Sequence, residues 1–354
     1  MKSGKLPHNL LAEMLSKVSL DDRVIVGPGI GIDAAVIDYG ERLLVTKTDP
    51  ITFATDLIGW YAVNINANDI AVMGAEPKWF MATILLPQGT DEETVRSLFD
   101  QITSACKELG ISLVGGHTEI THDLNRPVIV GCMLGETDRA HLVTASGARV
   151  GDDILVTKGI AVEGTSILAR EAGDRLRKMG FTEEFLDRAA NYLFEPGISV
   201  IPDARLAAAN AHIHAMHDPT EGGLATGLME IAEASGLGLE IRQEAIPILP
   251  ETQTLCRELK LDPLGLIASG SLVLTCDSAD TPRLLEAFAQ EGIRASVIGR
   301  MMQKEFGLKM IPSGSAAPLL QYSTTPPLHL VDLPSFPRDE IARFFEDIGA
   351  EKTY

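Results

Sequence analysis

The chain has 354 residues, 45% of them hydrophobic, with 30 Lys and Arg against 49 Asp and Glu and a formal net charge of −19. That length suits two domains of ordinary size with real cores, and the charge argues against nucleic acid and anionic membranes, whose phosphates call for the opposite sign. Cys106, Cys132, Cys256 and Cys276 show no CxxC spacing and read as reduced thiols; no apolar run resembles a leader or a membrane span, so the expected location is the cytoplasm.

In chain order, a leading helix is expected over Asn9–Val18. Gly29-Ile30-Gly31-Ile32-Asp33 then precedes a short apolar strand, Ala34–Ile37, and glycines at those steps let backbone amides approach a ligand. Arg42–Lys47 reads as a strand leading to Thr48-Asp49-Pro50. Asp49 would then lie at a strand end, where open α/β architectures collect ligands, although an Asp-Pro turn has the same pattern. Over Asp56–Gly74, Ile58, Ala62, Ile65, Asp69 and Val72 recur as one stripe of an amphipathic helix. Asp69 rides the apolar face, and a carboxylate buried there needs a donor, a partner cation or a metal.

A strand is expected at 78–86, then a helix over Thr90–Leu109 opened by the capping-box pattern Thr90-Asp91-Glu92-Glu93 and stopped by Gly110. The strand Ile111–Val114 leads into a turn, Gly115-Gly116-His117-Thr118-Glu119, and Pro127–Leu134 closes this half. The chain divides near Ala145–Gly151, giving domains 1–145 and 146–354. The second half reads as a strand Asp153–Thr157, helices Glu163–Lys178 and Thr182–Phe194, a strand Ala211–His217, the turn Asp218-Pro219-Thr220-Glu221-Gly222-Gly223, a helix Leu224–Ala234 and a strand Ser271–Cys276. Such alternation fits an α/β or α+β class. Pro312–Pro337 is expected to run over the surface, and Pro337–Ile348 to form a short amphipathic helix docked on the body. His212 and His214 would share a strand face, but no cysteine or acid at matching spacing accompanies them before Asp218, which argues against a transition-metal pair. His217 adjoins Asp218 and is expected to orient it.

The ordered motifs GIGIDAAV (29–36), TDP (48–50), NDIAVMGAEP (68–77), GGHTE (115–119) and DPTEGGLA (218–225) together resemble the superfamily of aminoimidazole ribonucleotide synthase, thiamine-monophosphate kinase, selenophosphate synthetase and the hydrogenase maturation protein HypE. The DPTEGGLA and NDIAVMGA motifs are most similar to HypE. The resemblance implies a two-domain PurM-like fold, with an N-terminal sheet domain that forms a β-barrel across a homodimer and a C-terminal α/β domain behind it. It also implies ATP and Mg²⁺, used to activate an oxygen by phosphoryl transfer, a reaction carried mainly by positioning and charge neutralisation.

Carried over by position, the resemblance assigns Mg²⁺ to Asp33, Asp49, Asp69, Glu119, Asp218 and Glu221. It assigns ATP to Gly29, Gly31, Asp33, Lys47, Thr48, Asp69, Gly115, Gly116, Thr118 and Thr220, and catalysis to His117, Asp49 and Asp218. Two positions depart from the pattern. Ile32 stands where the first acid of the glycine turn is usual, and His117 where an acid is usual; imidazole is a poor ligand for Mg²⁺, so His117 is expected to contact phosphate or move a proton, with Glu119 supplying an oxygen. The implied substrate is a small-molecule or protein-tethered carbamoyl-type group, with a maturation partner protein. HypE proteins carry a cysteine at or next to the C-terminus, whereas these residues end Gly349-Ala350-Glu351-Lys352-Thr353-Tyr354; the expected acceptor is therefore a free small molecule or a group elsewhere. A small-molecule kinase or synthase of thiamine-monophosphate kinase type, and a non-catalytic nucleotide-binding assembly protein, are the alternatives.

Overall fold

A computed structural model describes residues 6, 8–51, 54, 56–314 and 329–351, the last five of these by backbone alone. The first half carries α1 (His8–Leu15), β1 (Val24–Val26), β2 (Ala35–Asp38), β3 (Leu43–Ile51), α2 (Ile58–Val72), β4 (Glu76–Pro87), α3 (Glu92–Leu109), β5 (Ser112–Thr121) and β6 (Val128–Thr137). Its strands form one sheet in the order β1-β2-β3-β6-β4-β5, antiparallel except for the β4–β5 pair.

Alternation along β4 and β6 sends Phe80, Ile84, Ile129 and Met133 inward and leaves Met81, Leu85, Val130 and Leu134 half-buried on the other face. Gly131 and Gly135 let α2 lie close on this sheet: a Cβ at Gly135 would meet Ile70 Cγ2 at 2.3 Å, and one at Gly131 would meet Asn66 Nδ2 at 2.3 Å.

Four first-half expectations change. α2 is buried on nearly every side rather than along one stripe, as a helix apolar all round must be, because the second half packs over it. β3 runs on through Asp49 and Pro50, which pair with Gly131 and Val130, so Asp49 lies within a strand instead of at its end. The GGHTE segment is no turn: it is the middle of edge strand β5, where a register shift opposite Phe80 and Met81 lets the glycines continue the parallel pairing. The α3 cap is Asp91, whose carboxylate accepts from Thr94 N at 2.8 Å, and Gly110 ends the helix in a left-handed conformation.

The second half comprises β7 (Asp153–Thr157), α4 (Val162–Glu171), α5 (Gly173–Lys178), α6 (Glu183–Asn191), α7 (Ile201–Asn210), β8 (Ile213–His217), α8 (Gly223–Ser235), β9 (Gly238–Arg242), α9 (Pro250–Leu259), β10 (Val273–Cys276), α10 (Thr281–Gln290), β11 (Ala295–Met302), β12 (Leu308–Ile311), β13 (Val331–Asp332) and α11 (Glu340–Glu351). Its sheet order is β13-β12-β9-β11-β7-β10-β8. The single helix expected over Glu163–Lys178 breaks at Ala172 into α4 and α5. Ile341 and Phe344 of α11 are buried in the shared core, as the amphipathic pattern requires, while the Ile348 side chain lies outside the described residues. So do residues 315–328 of the expected surface segment.

The two halves meet on α2. The Asn68 side chain donates to Ile198 O at 2.7 Å and accepts from Val200 N at 2.9 Å, so one amide on the first half's helix closes two backbone groups of the second.

Candidate functional site

The middle of β3 and the ends of α2 and β8 converge with the β1–β2 loop on a buried cluster of charge. Lys47, on β3, reaches Asp69 of α2 at 2.9 Å and Asp49 at 3.8 Å. Burial alone would lower the Lys47 ammonium, but Asp69, Asp49 and Asp33 outweigh it and keep the group charged. Burial pushes Asp69 up to about 7 against the pull of Lys47, and Asp49 and Asp33 add to the rise.

Asp33 leaves the glycine loop beside α8. Gly31, at φ +70°, has the Glu230 carbonyl 2.6 Å from where a Cβ would stand, so this glycine serves a close approach of two backbones. His217, the last residue of β8, sits between two acids: Nδ1 is 2.6 Å from Asp33 Oδ1 and Nε2 is 3.0 Å from Glu230 Oε2. Burial works against its charge, yet Asp33 and Glu230 raise it well above the usual histidine value. His217 is thus an imidazolium with both nitrogens donating, and it orients Asp33 and Glu230 rather than Asp218.

Asp218 follows immediately, 1% exposed. Burial, then Asp69 and Asp33, push its carboxyl far above the ordinary value, against His217 and Lys47. Among the described residues, neither Asp218 oxygen has a hydrogen-bond partner, and neither do Asp33 Oδ2 or Asp69 Oδ2. Carboxyl and ring atoms of Asp33, His217 and Asp218 lie within 4.8 Å of one another. With both its nitrogens occupied, His217 offers no lone pair, so the donors left are carboxylate oxygens, the set a hard divalent cation such as Mg²⁺ takes. The acids Asp33, Asp49, Asp69, Asp218 and Glu230 outnumber the cations Lys47 and His217, and a divalent ion would correct that imbalance.

The other expected site residues lie elsewhere. Thr48 Oγ1 donates to Gly131 O at 2.7 Å, which occupies its hydrogen within the sheet. Gly29 lies in the loop before Asp33. Thr220 is half-buried, and its carbonyl accepts from Gly223 N and Ala268 N. Glu221 belongs with Glu163 and Asp339, whose carboxyls it helps push up. Gly115, Gly116, His117, Thr118 and Glu119 are exposed along β5, with His117 Nε2 3.1 Å from Glu119 Oε2. Sheet order sets β5 three strands from β3, so this segment does not join the cluster within one chain.

Sequence reasoning misses Glu230 and Glu163. Glu230 stands off the Leu224, Leu228 and Ile231 stripe of α8, beside Thr226 and Gly227, and is buried because α8 is covered on nearly every side, so periodicity gives no signal for it. Glu163 is hidden by ordinariness, since acids are common in first helical turns.

Residues 31–137 match the AIR synthase related protein N-terminal domain, and residues 149–310 match the AIR synthase related protein C-terminal domain. The chain is 31% identical to the carbamoyl dehydratase HypE of Cupriavidus necator, across 85% of this chain and 84% of that one. It is 30% identical to the carbamoyl dehydratase HypE of Rhodobacter capsulatus, across 86% and 88%. A hydrogenase maturation protein HypE solved in complex with ATP shares the fold, with a TM-score of 0.65 at 21% identity over 94% of this chain and 91% of that chain. Among the described residues, no helix is long and apolar enough to cross a membrane.

Proposed function

Because the chain belongs to the AIR synthase related protein family and is HypE-like within it, we propose that it is an ATP-dependent enzyme that activates the oxygen of a carbamoyl-type or other amide group by phosphoryl transfer. The observation that carries this reading is the set of partnerless buried oxygens on Asp33, Asp69 and Asp218. Those three residues would hold Mg²⁺, which when bound supplies charge neutralisation for the triphosphate.

The chain's own groups do the rest. Lys47 holds Asp69 and Asp49 in place, and the imidazolium of His217 fixes Asp33 and Glu230, so the carboxylates stand ready without rearrangement. Asp49 keeps a third of its side chain open, which makes it the member of the cluster nearest to solvent and to an arriving substrate.

No cysteine of the chain suits the acceptor role. Burial raises the thiols of Cys106, Cys256 and Cys276 to about 11, about 12 and about 11 respectively, and Cys132 pairs with Thr48, out of register with Lys47 and Asp49. In this reading the carbamoyl-type group is not carried on any of these four thiols.

Within one chain, β5 lies about 14 Å from β3 at ordinary strand spacing, so a nucleotide role for Gly115, Gly116, His117, Thr118 and Glu119 calls for a second copy. A homodimer joined through this sheet would supply it.

Calorimetry with ATP, in the presence and absence of Mg²⁺, tests the core of the reading. Tight binding should depend on the metal and should collapse in Asp218→Asn. Equal affinity with and without Mg²⁺, or in the variant, rejects it.

A further inference from the structure

Glu230 stands apart from the other acids of the site. Among the described residues, the carboxyl and ring atoms that lie within 4.8 Å of one another belong to Asp33, His217 and Asp218, and Glu230 is outside that set. It nevertheless sits 6% exposed on α8, against the cost of burying a carboxylate. There it meets the far edge of the His217 ring, with Nε2 3.0 Å from Glu230 Oε2, while Nδ1 on the other edge lies 2.6 Å from Asp33 Oδ1.

The two contacts act differently on the ring. An imidazole held at Nδ1 alone can still rock about its Cβ–Cγ bond, and each tilt carries the Asp33 carboxylate with it. A second acceptor at Nε2 fixes the plane. With Asp33 Oδ1 tied to that fixed ring, Oδ2 keeps one direction, and Oδ2 is the oxygen that is buried with no hydrogen-bond partner among the described residues. The main chain of Glu230 adds a second point of contact. Its carbonyl oxygen lies 2.6 Å, and its Cα 3.2 Å, from where a Cβ on Gly31 would stand. Glu230 therefore meets the loop before β2 twice, directly at Gly31 and through His217 at Asp33. That loop belongs to the first half of the chain and α8 to the second, so Asp33 takes its orientation from an element of the other half.

Building on the Mg-ATP reading, we propose that Glu230 is the positioning residue of the metal site: it sets the His217 ring, and through the ring the Asp33 carboxylate, in the orientation that receives the cation. Glu230 is not itself a ligand. It acts on affinity for the metal and leaves the room for nucleotide unchanged. Removing a supporting partner of this kind costs about 10- to 100-fold in metal affinity.

The test titrates Mg²⁺ into the full chain at fixed ATP and follows nucleotide binding by calorimetry. Glu230→Leu, similar in size, removes the acceptor and should raise the Mg²⁺ midpoint about tenfold, while bound ATP at saturating Mg²⁺ still reaches the wild-type plateau. Glu230→Gln keeps an oxygen for the Nε2 hydrogen and should stay within about threefold of wild type. A wild-type midpoint in Glu230→Leu overturns the proposal. So does a lowered plateau, which would make the residue a general support of the fold, and so does Glu230→Gln as impaired as Glu230→Leu, which would make charge and not orientation its contribution. A second readout needs neither metal nor nucleotide. Nitrogen-15 spectra of the metal-free protein, with the His217 signals identified by their loss in His217→Gln, should show hydrogen on both ring nitrogens in wild type. Wild-type protein without the Nε2 hydrogen overturns the proposal even if Glu230→Leu fails to fold. Wild-type protein that shows both ring hydrogens and yet binds no Mg-ATP strikes the parent reading, and the metal role of Glu230 falls with it.

Discussion

Lys47 touches Asp69 and Asp49 together, and this sharing decides how single substitutions should behave. Asp69→Asn removes a buried oxygen donor but leaves Lys47 with Asp49, so folding should survive while Mg-ATP affinity falls roughly 10- to 100-fold; calorimetry beside a thermal melt separates the two effects. Protonation offers a second check. Asp69, Glu163 and Asp339 are each raised to about 7, so the folded state binds protons that the unfolded chain has released above its ordinary carboxylate range. Stability from these groups is full at low pH and is lost as pH climbs through 7. The metal-free protein should therefore melt at a higher temperature at pH 5.5 than at pH 8, and saturating Mg²⁺ should narrow the gap, because the metal takes the proton's place. A flat or inverted profile without metal would count against the buried cluster. Sequence singles out Asp33, Lys47, Asp49, Asp69 and Asp218, and the fold brings these five together. It gives no access to their partners, since the His217–Asp33 contact joins residues 184 apart.

At the scale of elements, the approach of α2 to β6 rests on two missing side chains. Gly135→Ala would drive a methyl into Ile70 and the Glu76 carbonyl, at 2.3 and 2.6 Å. The helix cannot move aside, being packed on its other faces as well, so the cost should reach about 1–3 kcal/mol and show in the denaturation midpoint. α11 has a different task. Through Asp339 it holds the amides of Gly222 and Ile267, hence the turn that carries Asp218. Asp339→Ala should lower stability by about 2 kcal/mol and weaken Mg-ATP binding as well, whereas Phe345→Ala, which trims a partly buried neighbour, should affect stability alone. Periodicity and capping make α3, α8, α11 and most strands legible. It fails at α2 and β5 for physical reasons: the stripe on α2 is one face of a helix buried all round, and glycines that usually mark a turn here continue an edge strand.

For the molecule as a whole, the first sheet presents an apolar face and an unpaired edge. Leu113, Val114 and Ile120 are exposed along β5, an arrangement that invites pairing with a second chain. Light scattering should give twice the chain mass of 38.0 kDa, and Ile120→Lys should shift the population toward monomer; a monomeric wild type at micromolar concentration would dismiss the dimer. The clasp between Asn68 and the Ile198–Val200 backbone has a further consequence, for synthesis. α2 leaves the ribosome long before Val200 does, so throughout that interval a largely apolar helix and its polar Asn68 lack the surface they were shaped for. The first half should thus emerge as a chaperone client, and ribosome-stalled chains ending near residue 150 should resist proteolysis far less than chains that extend beyond Ile201.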